Sequence, residues 1–441
     1  METKRKTLTQ LFFPICIEIL FFMMAGMVDT MMLSTVSDQA VGAVGTANTY
    51  IGIFIIMFSI VSSGMLAVMT QNIGAGRPGV AHRARQIGLL FNGGLGVVLS
   101  AILLFGAELI LEGVGIAEAL KGSAVVYLKI VGGSCILNAV IPIYSGYMRA
   151  FGYTREPLVA TVAANVINLV LNAVFLLVLE WGVAGVALAT VISRVLNLIM
   201  VMSQSRKLIH VDEDTDEIKN GEVLRQIIRI GFPAALETAL YNVAITLVVR
   251  FMNQMDTEGI NVTARSYTAQ IANFSYSVGA ALAQANAILT GWRIGAKEFD
   301  ECDRGTKKAA LVGIGSAIVL QSLFAVFARP IVSLFTDDPQ MIHLVSILLT
   351  INIALEVGRA LNLVYGSALK ASGDAVFPMV IAVVFAFLCA AGGTWFLGLH
   401  LGWLAVGAYV AMALDECVRA VCMVLRWHSG RWKNHRIVSD T

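Results

Sequence analysis

Charge is what this chain has least of. Only 14% of its 441 residues are Asp, Glu, Lys or Arg, against roughly 25% in an average soluble domain. A soluble chain of this length must cover a large outside with polar groups, so the shortage excludes a soluble enzyme and a disordered protein. With 31 basic and 29 acidic residues the formal net charge is +2, which gives no field for drawing in nucleic acid. Cysteine is scarce too. Cys16, Cys135, Cys302, Cys389, Cys417 and Cys422 form no CxxC, and five stand in apolar stretches. They read as small core residues rather than disulfides or metal ligands. No glycine-rich lysine loop, HExxH, nucleophile elbow or zinc spacing occurs, so neither an enzyme nor ATP-driven pumping within this chain is expected, and no cofactor. A cleavable signal peptide is not expected either: Met1–Lys6 is short and basic, but the apolar run after it is too long and lacks a small-residue cleavage site.

What fills the chain instead is hydrophobic residue, 57% of it, with a mean hydropathy of +0.78. The runs are long rather than alternating, which points to helices crossing a bilayer and not to a β-barrel. A crossing needs about 20 apolar residues. Twelve segments qualify, near 8–33, 40–73, 84–111, 119–150, 157–180, 182–206, 223–255, 259–293, 304–334, 340–371, 376–399 and 401–428. Their connections alternate in charge. One set, from Lys4–Arg5–Lys6 through Arg77, Arg149, Arg206 and Arg293 to the tail residues Arg426, Arg431, Lys433 and Arg436, holds 23 of the 31 basic residues. The other set is acidic or neutral, as at Ser37–Asp38–Gln39 and Asp256–Thr257–Glu258. The positive-inside rule places both termini in the cytoplasm, so a multi-pass protein of the plasma membrane (the bacterial inner membrane) is expected. The acidic run Asp212 to Glu222 reads as a solvated linker.

The two halves repeat one another. Arg149-Ala-Phe-Gly-Tyr-Thr-Arg-Glu-Pro157 matches Lys370-Ala-Ser-Gly-Asp-Ala-Val-Phe-Pro378 at an offset of 221. Ile73-Gly-Ala matches Ile294-Gly-Ala at the same offset, and Pro14-Ile-Cys-Ile-Glu18 matches Pro233-Ala-Ala-Leu-Glu237 at 219. Each copy has six spans and enters from the cytoplasmic side, so the copies are parallel repeats about an axis along the membrane normal. The division expected is an N-lobe at 1–207, a linker at 208–222, a C-lobe at 223–428 and a basic tail at 429–441. Two equal lobes suit a transporter, and one chain supplies the whole pair, so a monomer is expected.

The loops after spans 4 and 10, Gly231-Phe-Pro-Ala-Ala-Leu-Glu237, Ala43-Val-Gly45, Asp29 in span 1, Asn165-Val-Ile-Asn-Leu-Val-Leu-Asn172 in span 5 and Gly185-Val-Ala-Leu-Ala-Thr190 in span 6 together resemble the multidrug and toxic compound extrusion (MATE) family. The resemblance runs over all twelve spans. It implies an all-α membrane fold of the MATE/MOP type, with two six-helix lobes forming a V. It also implies export of organic cations or other amphipathic compounds, coupled to inward H⁺ or Na⁺.

An ionisable residue at membrane depth is costly and is a functional candidate by default. Asp29, Asn168, Asn172 and Thr190 reach a similar depth in the first half, counting about 1.5 Å per residue from the span ends. A carboxylate with amide and hydroxyl oxygens suits Na⁺ or a carboxyl that takes and releases a proton. The resemblance carries these four over as the coupling-cation site. Asn172 departs from it, standing where many relatives have a second aspartate, and this tilts the expectation towards H⁺. The plainer reading puts Asp29 at the membrane edge and has the asparagines join helices.

At the positions matching Asn168 and Asn172 the second half has Cys389 and Gly393. It carries Glu237, Glu356, Arg359, Asp415, Glu416 and Arg419 instead, with Glu18 of the first half opposite Glu237 by repeat symmetry. Four acids against two bases cannot all stay ionised when buried. The set is either a second protonation or substrate site or an ion-pair network pinning its helices. Lys129 and Arg194 read as partners for the acids of the first half, and Pro14, Pro142 and Pro233 as points where spans bend. Met27 and Met31 suit an adaptable apolar cleft, and Tyr50 and Tyr241 suit stacking on organic cations. Asn261-Val-Thr263 fits a glycosylation sequon. The reading reached is a cation-coupled exporter of small amphipathic or cationic compounds. A lipid or lipid-linked precursor flippase and a non-transporting structural or signalling membrane protein are its rivals.

Overall fold

A computed structural model describes residues 6–113, 115–211 and 218–438. Among them there is no strand. Lipid offers no partner for a backbone N–H or C=O, so each apolar run satisfies its own backbone as a helix. The first half contains α1 (Leu8–Ser34), α2 (Asp38–Gly74), α3 (Pro78–Gly113), α4 (Glu118–Tyr127), α5 (Ile136–Ala150), α6 (Arg155–Ala173) and α7 (Gly182–Leu208). The second contains α8 (Asn220–Met252), α9 (Ile260–Gly295), α10 (Phe299–Val326), α11 (Ala328–Val332), α12 (Pro339–Ser372), α13 (Val376–Phe385) and α14 (Leu404–His428). Each expected span is met by one helix or by two or three helical pieces in succession. Among the described residues nine helices are long and apolar enough to cross a membrane, or ten if the bent pair Glu118–Gly132 and Ile136–Ala150 is one span. The two that fall short are α9, rich in Ser, Thr, Asn and Gln, and α14, which carries Asp415, Glu416 and Arg419. Of the acidic run, residues 212–217 lie outside the described residues, as do Lys4 and Arg5.

Several helices change pitch. Wide π turns occupy Leu128–Gly132, Val174–Val178, Ala386–Ala391 and Thr394–His400. The bend of 42° between Glu118–Gly132 and Ile136–Ala150 falls at a π turn followed by Gly133 and Ser134, not at Pro142 six residues into α5. A π turn and a Gly/Ser pair loosen the ladder there, and α1 and α8 run on as single helices through Pro14 and Pro233.

The chain separates into two compact units. The first is Met1–Lys6, Ile17–Ile73 and Arg77–Gly231, and the second is Thr7–Cys16, Gly74–Gly76 and Phe232–Thr441. The opening turns of α1 thus count with the second unit and those of α8 with the first. In the first unit a core of Leu99, Leu103, Leu111, Tyr127, Leu128 and Val131 binds α2, α3, α4 and α7. In the second, α12 packs most closely with α9 and α14 around a core that includes the small residues Ala264, Ala405 and Ala408. Small side chains let backbones approach, the main source of helix association in lipid. At Gly358 any side chain would strike the Glu416 backbone, with its carbonyl carbon 2.8 Å from the added carbon.

The repeated motif has the same local job in each unit. Gly152 (φ 85°) and Gly373 (φ 99°) take left-handed backbone just past α5 and α12, which a residue with a Cβ adopts only under strain. The base three residues earlier then reaches the acid of the first helix of its unit. Arg149 meets Glu18 at 2.7 Å, and Lys370 meets Glu237 at 2.8 Å. Cys16, Cys135 and Cys302 are buried, Cys389, Cys417 and Cys422 are half-buried, and all six are free. Asn261 is 5% exposed. Its amide nitrogen donates to Asp256 and its oxygen accepts from Ala405 N–H. That ties it into the fold, where the expected sequon needs an exposed amide.

Candidate functional site

The first unit holds a cavity of about 280 Å³ enclosed by α1, α2, α4, α6 and α7. Asp29, Asn48, Tyr127, Asn168, Thr190 and Arg194 face it, with Phe22, Leu33 and Val44 supplying apolar wall. Asn168 and Asn172 stand one helical turn apart, so one face of α6 presents both amides. The π turn at Val174–Val178 begins two residues later, a feature frequent beside functional positions.

Asn172 donates from Nδ2 to Asp29 Oδ1 at 2.8 Å. The Asn168 amide fits its surroundings with its nitrogen towards Asp29, donating to Oδ1 at 2.8 Å while its oxygen accepts the Thr190 N–H at 3.3 Å. The Thr190 hydroxyl donates to Val186 O at 2.9 Å, so its oxygen is left with acceptor capacity only. Asn172 itself is fully buried, and its Oδ1 has no hydrogen-bond partner among the described residues. The structure therefore gathers the four residues singled out from the sequence into one polar cluster. Two amide donors hold the carboxylate, and an orphaned amide oxygen lies beside it.

Arg194 departs from expectation. It lines the same cavity as Asp29, yet it has no ion pair among the described residues, and its buried Nη1 has no hydrogen-bond partner. Asp29 is engaged by amides instead. Lys129 does pair with an acid, Glu108, at 2.6 Å, but on an exposed surface. Glu18 is held by Arg149 and accepts from the Thr161 hydroxyl at 3.2 Å. Met27 and Met31 are exposed and, like Tyr50, do not face the cavity. Tyr50 packs against the apolar core of the unit. The face of α1 that does line the cavity carries Phe22, Ala25, Gly26, Asp29, Thr30 and Leu33.

The second unit carries a buried ion-pair chain. Arg359 joins Glu356 at 2.5 Å and Glu416 at 3.1 Å. Arg419 joins Glu416 at 2.9 Å and Asp415 at 2.8 Å. Asn362 donates to Glu416 Oε2 at 2.8 Å, and the Tyr241 hydroxyl donates to Glu416 Oε1 at 3.4 Å. The Arg419 guanidinium lies 5.1 Å from the centre of the Tyr241 ring, so this tyrosine already holds a cation of the protein. Glu237 is not in the chain, because Lys370 takes it. The balance is three acids to two bases, one acid fewer than the sequence suggested. Lys370 stands two residues before the end of α12 and has the reach to fold back onto α8.

Sequence reasoning missed the other polar members of the cavity. Tyr127 sits against the side chains of Asn48 and Thr190, and Asn165 and Asn197 line the wall. Asparagines within apolar spans were the available signal, but many such residues only join helices.

A multi-pass helical membrane protein, built as a repeat and holding a polar cavity in one unit, belongs among secondary transporters in its architecture. One family model, MatE, matches the chain twice, over residues 14–174 and 233–395. The chain belongs to the MATE family of multidrug efflux transporters. It is 32% identical over 435 residues to the uncharacterized transporter YisQ of Bacillus subtilis, covering 97% of this chain and 95% of that one. It is 24% identical to the probable multidrug resistance protein NorM of Thermotoga maritima, covering 99% and 94%. Among solved structures it resembles an outward-facing MATE family multidrug resistance transporter of the MOP superfamily, with a TM-score of 0.87 at 18% identity over 98% of this chain and 96% of that one.

Proposed function

We propose that this protein exports small amphipathic or cationic organic compounds by alternating access, and that inward movement of a cation at Asp29 drives the export. The observation that carries the reading is the buried Asn172 Oδ1 with no partner next to an Asp29 carboxylate held by amide donors. A carboxylate only accepts hydrogen bonds, while a carboxylic acid also donates one. Protonating Asp29 gives it a donor that an amide N–H cannot accept, so one of the two amides must turn or let go, and a turned Asn172 would offer its unpartnered oxygen. The contacts of α1 with α6 then differ between the two protonation states. Such a difference is what a ligand needs to shift a conformational equilibrium.

Protons are favoured over Na⁺ because the nearest groups to Asp29 Oδ1 are amide N–H donors, whereas a bound metal cation requires oxygens there. In this reading the lobes are residues 1–207 and 223–428, joined by 208–222 and followed by a basic tail at 429–441. Both termini face the cytoplasm of a bacterial inner membrane, and the chain works as a monomer. Glu18, Glu237 and the chain from Glu356 to Asp415 hold the helices in place.

The test is efflux of a cationic dye from vesicles under a pH gradient and, separately, a Na⁺ gradient, for wild type and Asp29→Asn. Flux driven by the pH gradient and abolished in the variant is the expected result. Flux driven by Na⁺ alone would overturn the preference for protons. Equal flux in variant and wild type would remove Asp29 from the coupling step.

A further inference from the structure

We propose that Arg194 makes the first-unit cavity a subsite for the acidic end of amphoteric substrates, molecules that carry a carboxylate or similar planar oxyanion beside a cationic group. The inference rests on the transporter reading above and adds a substrate class to it. A guanidinium stays charged at any pH a cell meets, and a charge at membrane depth is retained only with a partner or a function. Arg194 has no ion-pair partner among the described residues, and its Nη1 is buried without a hydrogen bond. The obvious anion, Asp29, lines the same cavity but is occupied by the Asn172 and Asn168 amides. The cavity thus presents a satisfied carboxylate and an unsatisfied guanidinium that do not touch.

A guanidinium offers donors in a flat fork, which matches the two oxygens of a carboxylate better than any other small group. Ser193, Asn197 and Tyr127 add polar groups around it. The volume of about 280 Å³ is at the small end for a whole drug-sized ligand. It fits one end of a substrate, such as a benzoate ring, with Phe22 and Leu33 against the ring faces. The remainder of the molecule, including its cation, lies towards Asp29 or beyond the cavity mouth.

Rhodamine 110 and rhodamine 123 make a matched test, since they differ only in a free carboxylate against its methyl ester. Binding of each to the purified full-length protein is measured by fluorescence polarisation for wild type, Arg194→Gln and Arg194→Lys. Loss of the fork is expected to weaken rhodamine 110 about tenfold or more in Arg194→Gln. The same substitution strengthens rhodamine 123, because a repelling charge is gone. Arg194→Lys, a point charge without the fork, falls between. Opposite movement of the two dyes is the signature, since a merely structural arginine would shift both the same way. Both dyes weakening together, or neither moving, overturns the proposal. A second measurement needs no variant: benzoate displaces rhodamine 110 from wild type, and benzamide does not. Equal displacement by the two also overturns it. Dye efflux from vesicles reads the transporter question separately. Binding with the expected signs but no efflux removes the transport reading and keeps the subsite, while efflux with unselective binding does the reverse.

Discussion

The same place in the two repeats has been built in two ways. In the first unit α6 and α7 bring Asn168, Thr190 and Arg194 to a cavity faced by Asp29 of α1, and the fully buried Asn172 donates to Asp29. At an offset of 221 the second unit has Cys389, Gly393, Ala411 and Asp415, and at 219 Val248 stands for Asp29. There the helices close up: a side-chain carbon on Gly393 would lie 2.9 Å from Ala411 Cβ, and Val248 is fully buried in the core. The charged groups differ in kind as well. Arg194 stands without an anion, while Asp415 at the matching position is bound by Arg419. The frame of the repeat, down to its left-handed glycine and its Glu18–Arg149 or Glu237–Lys370 pair, is shared. The interior is not: at the matching positions the second unit is packed close where the first holds a cavity.

The strongest way to break this comparison is to exchange chemistry at Asp29. Asp29→Asn is expected to reduce gradient-driven dye efflux to background while the protein stays folded. Next in size are the arginines. Arg419→Met leaves the buried Asp415 without a base and Glu416 with Arg359 alone, and should cost about 3–5 kcal/mol, whereas Arg194→Met, which breaks no pair, should cost under about 1 kcal/mol. Thermal unfolding in detergent separates the two, and equal losses would erase the distinction between the units. Writing the first unit into the second comes third. Gly393→Asn should cost about 1–3 kcal/mol by overpacking against Ala411. Adding Ala411→Gly should recover part of it, a coupling that a double-mutant cycle reads directly.

The smallest effect concerns the caps. Ser37 takes the Ala40 N–H before α2 at 3.0 Å, and Asp256, its counterpart at 219, takes the Ile260 and Asn261 N–H groups at the start of α9 at 2.9 and 3.1 Å. Burial pushes the Asp256 carboxyl up, but the hydrogen bonds from Asn261 and Ile260 outweigh it and hold its pKa below the ordinary value. Its stabilisation is therefore complete above the ordinary carboxylate range and disappears as pH falls through the lowered native value. Asp256→Ala should cost about 1 kcal/mol at neutral pH and progressively less below about pH 4. Ser37→Ala should show no such dependence, because a hydroxyl does not titrate there. Melting curves of the two variants across pH test the difference.

Much of this could be read before any coordinates. The twelve expected spans fall within a few residues of helices, because bilayer partitioning depends on composition summed along the chain. The repeat offsets pointed to Glu18 and Glu237, and the spacing of Asn168 and Asn172 put both on one face of α6. Other features were hidden. Arg194 looked like a partner for an acid, and Glu237 looked like part of the Glu356 chain. The bend in the fourth span was expected at Pro142 and lies instead at Gly133 and Ser134, because a π turn there outweighs a proline that the helix absorbs.

The sequence by itself determined which segments become helices in a membrane, that one unit occurs twice, and which few ionisable groups lie among apolar neighbours. Each of those follows from local composition and from periodicity along one helix. Which groups meet was decided only by the tertiary structure. A partner depends on how each helix is rotated about its axis and how near the next backbone comes, and small residues far apart in the chain set both. Hence Lys370 reaches Glu237, Asn172 reaches Asp29, and Arg194 is left with an empty fork at the wall of a cavity.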